Sequence, residues 1–131
     1  MIMNYQEAGA PPGMQRGSAT GSQNTCLIHT LMQLVCPGGT WQDEVRRSIL
    51  IRRQLEEKYP ELRTTPTEKY PYLIFELHWR PVLTALGVRH EDFQVVCYTS
   101  LGTERHGDGE RVLSLWNAAF SHYVPLRQRS V

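Results

Sequence analysis

No disulfide framework can be built from this chain of 131 residues. Its three cysteines, Cys26, Cys36 and Cys97, are an odd number without a Cys-x-x-Cys pair, which also argues against a cysteine-rich zinc site. No apolar run approaches the ~20 residues that span a bilayer, and the N-terminus has no basic segment followed by an apolar signal core. Neither sign of charge is in surplus, with 14 basic against 13 acidic residues. No basic stripe with interleaved aromatics marks a nucleic-acid surface. Nothing repeats internally. These absences leave one domain working under reducing conditions, with no cofactor and no metal expected. A cytosolic site of action is the simplest expectation. A protein delivered into a host or target cell through a specialised secretion system would have the same features. Apolar residues make up 40% of the chain, enough for a modest core.

The most informative stretch is Gly21-Ser22-Gln23-Asn24-Thr25-Cys26-Leu27-Ile28-His29-Thr30-Leu31. A polar, turn-forming run stops at a cysteine, and an apolar run begins there. Leu27, Leu31, Leu34 and Val35 recur at i, i+4, i+7 and i+8, the spacing of one helix face. Asn24 and Thr25 are residue types that bond the unpaired N–H groups where a helix starts. Cys26 therefore belongs in the first turn, where the dipole and the unpaired amides favour an anion. An ordinary thiol has a pKa of about 8.5 and is only ~3% thiolate at neutral pH, so lowering its pKa would make it a nucleophile. The competing reading is packing, since cysteine is among the most buried residue types.

At the other end, Val112 to Asn117 alternates like a half-buried strand, and Ala118 to Ser121 is a short connection. His122-Tyr123-Val124-Pro125-Leu126 then reads as the second strand of a hairpin. A cysteine at a helix N-terminus and a histidine on a distant strand form a workable thiolate–imidazolium layout.

Asn24-Thr25-Cys26-Leu27-Ile28-His29-Thr30-Leu31 resembles the nucleophile segment of the ovarian tumour (OTU) family of cysteine proteases. Leu115-Trp116-Asn117, four residues, then His122-Tyr123-Val124-Pro125-Leu126 resembles that family's closing hairpin. The resemblance runs from Ser22 to about Gln128. It implies an α+β, papain-like fold, with helices first and then a small, mostly antiparallel sheet. The active site would lie between the first helix and the closing hairpin. It also implies hydrolysis of the isopeptide or peptide bond after ubiquitin or a ubiquitin-like modifier, through a thioester acyl-enzyme. Cys26 is the expected nucleophile and His122 the general acid and base. Oxyanion donors are expected from the amide of Cys26 and one or more of Gln23, Asn24 and Thr25. The family often has an acid three residues before the cysteine and an Asp or Asn two after the histidine. Here those positions hold Gln23 and Val124, so Asn117 is the first candidate to orient the imidazole, Asn24 the second and Asp108 the third. His29, one turn along from Cys26, is the rival histidine. Other readings remain: a glutamine deamidase, a self-processing protease, or a binding module whose Cys26 is core.

The rest of the chain supplies a frame. Residues 1–21, rich in Gly, Pro, Ser and Gln, read as a flexible lead-in or linker with room for one short ordered piece, and residues 22–131 as the domain. Cys36-Pro37-Gly38-Gly39 ends the first helix, and Thr40 caps a second from Trp41 to about Tyr59. The cluster Arg46, Arg47, Arg52 and Arg53 reads as a solvated face. Ser48 and Arg52 nevertheless fall inside the apolar stripe by angle, with the Arg52 stem buried and its head at the surface. Residues 62–69 read as a polar loop and 70–86 as two short helices, with His78 and Trp79 in the wall or core. Phe93 to Tyr98 is the clearest strand, with Cys97 buried and inert. Leu101 to Glu110 reads as a polar loop carrying a solvated His106.

Overall fold

The computed structural model describes residues 11–63, 71–118 and 122–128. The expected α+β architecture is present, a five-stranded sheet with three helices packed on one face. Helix α1 spans Cys26–Val35 and buries Leu27, Ile28, Leu31 and Met32 completely. Four such side chains contribute on the order of 6–12 kcal/mol before chain entropy is set against them. Helix α2 spans Trp41–Lys58. The Thr40 hydroxyl accepts the Asp43 amide at its start (3.2 Å), and Asp43 and Glu44 occupy the first turn.

The buried face of α2 differs from a plain apolar stripe: it consists of Glu44, Ser48, Ile51, Arg52 and Leu55. Arg46, Arg47 and Arg53 are solvated as expected, but Arg52 is fully buried and does not reach the surface. Residues 70–86 also depart from expectation. A single helix, α3, spans Phe75–Ala85 with Pro81 inside it. Pro81 removes the hydrogen bond to the Leu77 carbonyl, and Leu77 lies on the exposed side where water can replace it. His78 and Trp79 are buried as expected, and His78 Nδ1 accepts the Ile74 amide (2.7 Å), capping the helix start. The expected loop at 62–69 lies largely outside the described residues.

The strands are β1 (Met14–Arg16), β2 (Phe93–Thr99), β3 (Gly102–Gly107), β4 (Arg111–Ala118) and β5 (His122–Gln128), in the spatial order β1-β5-β4-β2-β3. All neighbours are antiparallel except β2 and β4. Strand β3 occupies the stretch expected as a polar loop and pairs with β2 as a hairpin. The return into β4 requires Gly109, whose amide bonds the Phe93 carbonyl (3.2 Å) and whose Cβ would collide with the Asp92–Phe93 peptide. Side-chain alternation puts Phe93, Val95, Cys97, Leu113, Leu115 and Tyr123 against the helices. Trp116, Val124 and Leu126 face the other way, in a smaller cluster with Met14, Tyr98 and Ala118.

Two elements share the free edge of β5. Strand β1 pairs along its second half, from Met14 opposite Gln128 to Arg16 opposite Leu126, and the Gly17 amide continues to the Pro125 carbonyl (2.8 Å). The first half of that edge is taken by the N-terminus of α1. The folded body thus recruits part of the stretch read as lead-in, including the buried Ala19 and Thr20.

Candidate active site

Helix α1 begins at Cys26, as the sequence predicts, but its cap differs. The Thr25 hydroxyl turns back to donate to the Ser22 carbonyl (2.7 Å) and does not cap the first-turn amides. The amides of Cys26 and Leu27 favour an anion at that helix end. Cys26 Sγ sits there, and the Tyr123 amide of β5 donates to it at 3.4 Å. One turn along, the Thr30 hydroxyl donates to the carbonyl of the same Tyr123 (2.9 Å). Both backbone polar groups of Tyr123 are thus held by α1. A third tie comes from α3, whose Phe75 ring lies 6.1 Å from that of Tyr123. Burial pushes that phenol well above its ordinary value.

His122 immediately precedes the amide that touches the sulfur. Its half-buried imidazole lies over the turn before Cys26: a Cβ added to Gly21 would be 3.9 Å from both Nδ1 and Cε1. The chain thereby brings together the cysteine's turn, the helix terminus and the start of β5.

The thiol departs from expectation. Cys26 is 4% exposed, and burial pushes its pKa up from the ordinary value, against the opposing pull of the amides of Tyr123, Leu27 and Cys26 itself. Lost hydration of the thiolate outweighs the favourable helix end. Cys97, on β2, is buried among apolar side chains and is pushed up to about 12.

The orienting residue also differs. Asn117 pairs with Tyr123, whereas His122 pairs with Ala118. Paired residues share a face and neighbours alternate, so Asn117 and His122 leave the sheet on opposite sides. Asp108 precedes the start of β4, whereas His122 pairs with its last residue. The seven steps from Arg111 to Ala118 put it roughly 23 Å or more away at about 3.3 Å per residue. The amides expected to bind an oxyanion separate too. Asn24 N–H bonds the Gly21 carbonyl (3.1 Å) and Thr25 N–H bonds the Ser22 carbonyl (3.2 Å), closing a single 3-10 turn over Ser22–Asn24. Gln23 and Cys26 supply the other amides of that set. Gln23 and Asn24 both take left-handed backbone, at φ 54° and 55°, uncommon for residues other than glycine. Gln23 Oε1 and Asn117 Oδ1 are buried without hydrogen-bond partners among the described residues.

His29 is withdrawn from chemistry. It is fully buried, its Nδ1 accepts the Thr20 amide (2.8 Å), and its Nε2 faces Glu44 Oε1 (2.9 Å). With Nδ1 accepting, the proton of the neutral ring sits on Nε2 and points to the carboxylate. Glu76, Glu104 and His106 are metal-ligand types whose donor atoms lie within 4.8 Å of one another. They form a separate surface group at the other edge of the sheet, where His106 Nε2 meets Glu104 Oε2 at 2.6 Å. A shallow surface cavity of about 490 Å³, lined by residues such as Gln33, Pro125 and Arg127, lies along the later part of β5 and touches neither Cys26 nor His122.

In sequence, the chain matches no family model and no curated protein. In structure it is similar to the OTU domain of Hazara virus, solved bound to ubiquitin. The TM-score is 0.53 at 20% identity, covering 90% of this chain and 83% of the viral one. That likeness shows a shared fold.

Proposed function

We propose that this domain is a cysteine protease of OTU type that hydrolyses the isopeptide or peptide bond following ubiquitin or a ubiquitin-like modifier. One observation carries the reading: α1 and β5 meet at the Tyr123 peptide, with Cys26 Sγ on its amide and His122 as the residue before it. The fold shared with a domain seen bound to ubiquitin supports the choice of substrate. So do the exposed Tyr72, Ile74 and Leu77, which flank the Phe75 that packs on Tyr123 and offer apolar surface to a folded substrate.

In this proposal the buried thiol rests protonated. When the scissile carbonyl docks, His122 takes the thiol proton as sulfur attacks the carbonyl carbon. The tetrahedral oxyanion is held by the amides of Gln23 and Cys26, with the Gln23 side chain as a further donor. His122 then returns the proton to the departing lysine or α-amine, leaving a thioester. Water, deprotonated by His122, attacks the thioester and releases the modifier's carboxylate and the thiol. Asn117 is not assigned to orient the imidazole, because it leaves the sheet on the other face. The catalytic unit is residues 22–131 together with β1, acting in a cytosol, that of its own cell or of a host.

The test is turnover of a panel of peptide-fused and lysine-linked ubiquitin and ubiquitin-like substrates. The wild type is expected to release free modifier. Cys26→Ala should release none, and His122→Ala should lose on the order of a hundredfold or more. Cys36→Ala should cut normally. A folded wild type that cuts none of them contradicts the proposal.

A further inference from the structure

Arg52 is a charge sealed inside the molecule, fully buried on the inner face of α2. Among the described residues its guanidinium makes three directed contacts. Nε donates to Glu56 Oε2 (3.0 Å), Nη2 to the Leu62 carbonyl (2.7 Å) and Nη1 to the Asn24 carbonyl (3.3 Å). Glu56 supplies the compensating charge, which a buried guanidinium requires. The third contact bears on the site, because Asn24 is the last residue of the left-handed turn that leads into Cys26.

A trans peptide points its N–H opposite its C=O. With the Asn24 carbonyl turned toward Arg52, the Thr25 N–H is directed to the Ser22 carbonyl, where it bonds. The Ser22 carbonyl also receives the Thr25 hydroxyl. Held inside the turn by two donors, it sends the Gln23 N–H outward. The guanidinium holds the Asn24 carbonyl directly, and through Thr25 it backs the Ser22 carbonyl and the direction of the Gln23 amide. Left-handed backbone at two adjacent non-glycine residues is uncommon and persists only where the surroundings over-determine it.

We propose that Arg52 is a positioning residue: it clamps the Gln23–Thr25 turn from beneath and so aims the Gln23 amide beside Cys26 as an oxyanion donor. Its consequence for rate rests on the hydrolase proposal, whereas the clamp does not. Arg52→Lys keeps the charge and loses the fork. Arg52→Met with Glu56→Gln removes the buried pair without stranding a carboxylate.

Two measurements decide. In amide hydrogen exchange, Thr25 should lose protection about tenfold or more in both variants, with β4 and β5 unchanged. In steady-state cleavage, kcat should fall about ten- to a hundredfold while KM stays within about threefold, since the lost interaction acts on the transition state. Millimolar guanidinium should restore part of kcat in Arg52→Ala and leave the wild type unaffected. Unchanged Thr25 protection overturns the clamp, as does failure of the Met/Gln variant to fold, which would make Arg52 a residue of the fold alone. A kcat and KM that fall together, or neither changing, overturn the positioning role. If the wild type cleaves none of the substrates, the hydrolase proposal fails and the clamp stands or falls on Thr25 exchange.

Discussion

Cys26 and Cys97 are both buried, but in different surroundings. Cys97 is shut inside the β2 face of the core, whereas Cys26 shares the helix end with Gly21, His122 and the Tyr123 amide. A raised thiol pKa means less thiolate than an ordinary cysteine has at the same pH. Iodoacetamide should therefore react with Cys26 more slowly than with free cysteine at pH 7, and the rate should still be climbing as pH passes about 9. A plateau below pH 7 would show a thiolate already formed at rest. The same sign applies to stability. Cys97 favours the folded state below its unfolded pKa of 9.0, and that contribution is lost as pH rises toward about 12. The position of Cys26 was legible from the polar-to-apolar switch in the chain. Its pKa was not, because burial by Tyr123 and the α1 packing comes from residues up to 97 positions away. His29 was ambiguous for the same reason: only the fold puts the Thr20 amide and Glu44 on its two nitrogens.

Among the elements, α1, α2, β2 and the β4–β5 hairpin follow from periodicity, capping and β-branched runs. Those that did not are instructive. The β3 sequence Gly-Thr-Glu-Arg-His-Gly carries no apolar alternation because it is an edge strand, where charge blocks further pairing. The two short helices expected over 70–86 are one, because a single exposed carbonyl accommodates Pro81 within α3. Arg52 lay inside the apolar stripe by angle, the one sequence signal that pointed to its burial. Asn117 was placed on the correct strand, but register, which the sequence leaves open, put it on the wrong face. The contact that matters most between elements is Thr30 on Tyr123. Thr30→Val keeps the shape and strands a buried carbonyl, a cost of about 1–3 kcal/mol. The melting temperature should fall by several degrees, and turnover should fall with it as His122 loses its anchor on α1. An unchanged melting temperature and rate would remove the α1–β5 tie from the account.

For the molecule as a whole, the α+β class and a mostly antiparallel sheet following the helices were readable from the sequence and its resemblance. The strand order was not. The parallel pairing of β2 with β4 depends on β3 looping out between them, and the recruitment of β1 from a Gly/Pro-rich stretch depends on an open edge of β5. That edge yields a prediction of its own. Deleting residues through Arg16 uncovers the second half of β5, and an unprotected strand edge is a template for pairing with other chains. The truncated protein should keep its helical circular dichroism, melt at a lower temperature and self-associate with rising concentration in sedimentation. A truncated chain that stays monomeric and equally stable would show that β1 is dispensable.

The central claim, that Cys26 is a nucleophile served by His122 and presented to the C-terminus of a modifier, meets its most direct test in one labelling experiment. Wild-type protein is mixed with ubiquitin bearing an electrophile in place of its C-terminal carboxylate, and the adduct is mapped by mass spectrometry. A one-to-one adduct on Cys26 is expected, absent in Cys26→Ala and formed much more slowly in His122→Ala. An adduct on Cys36 or Cys97, or undiminished labelling of Cys26 without His122, contradicts it.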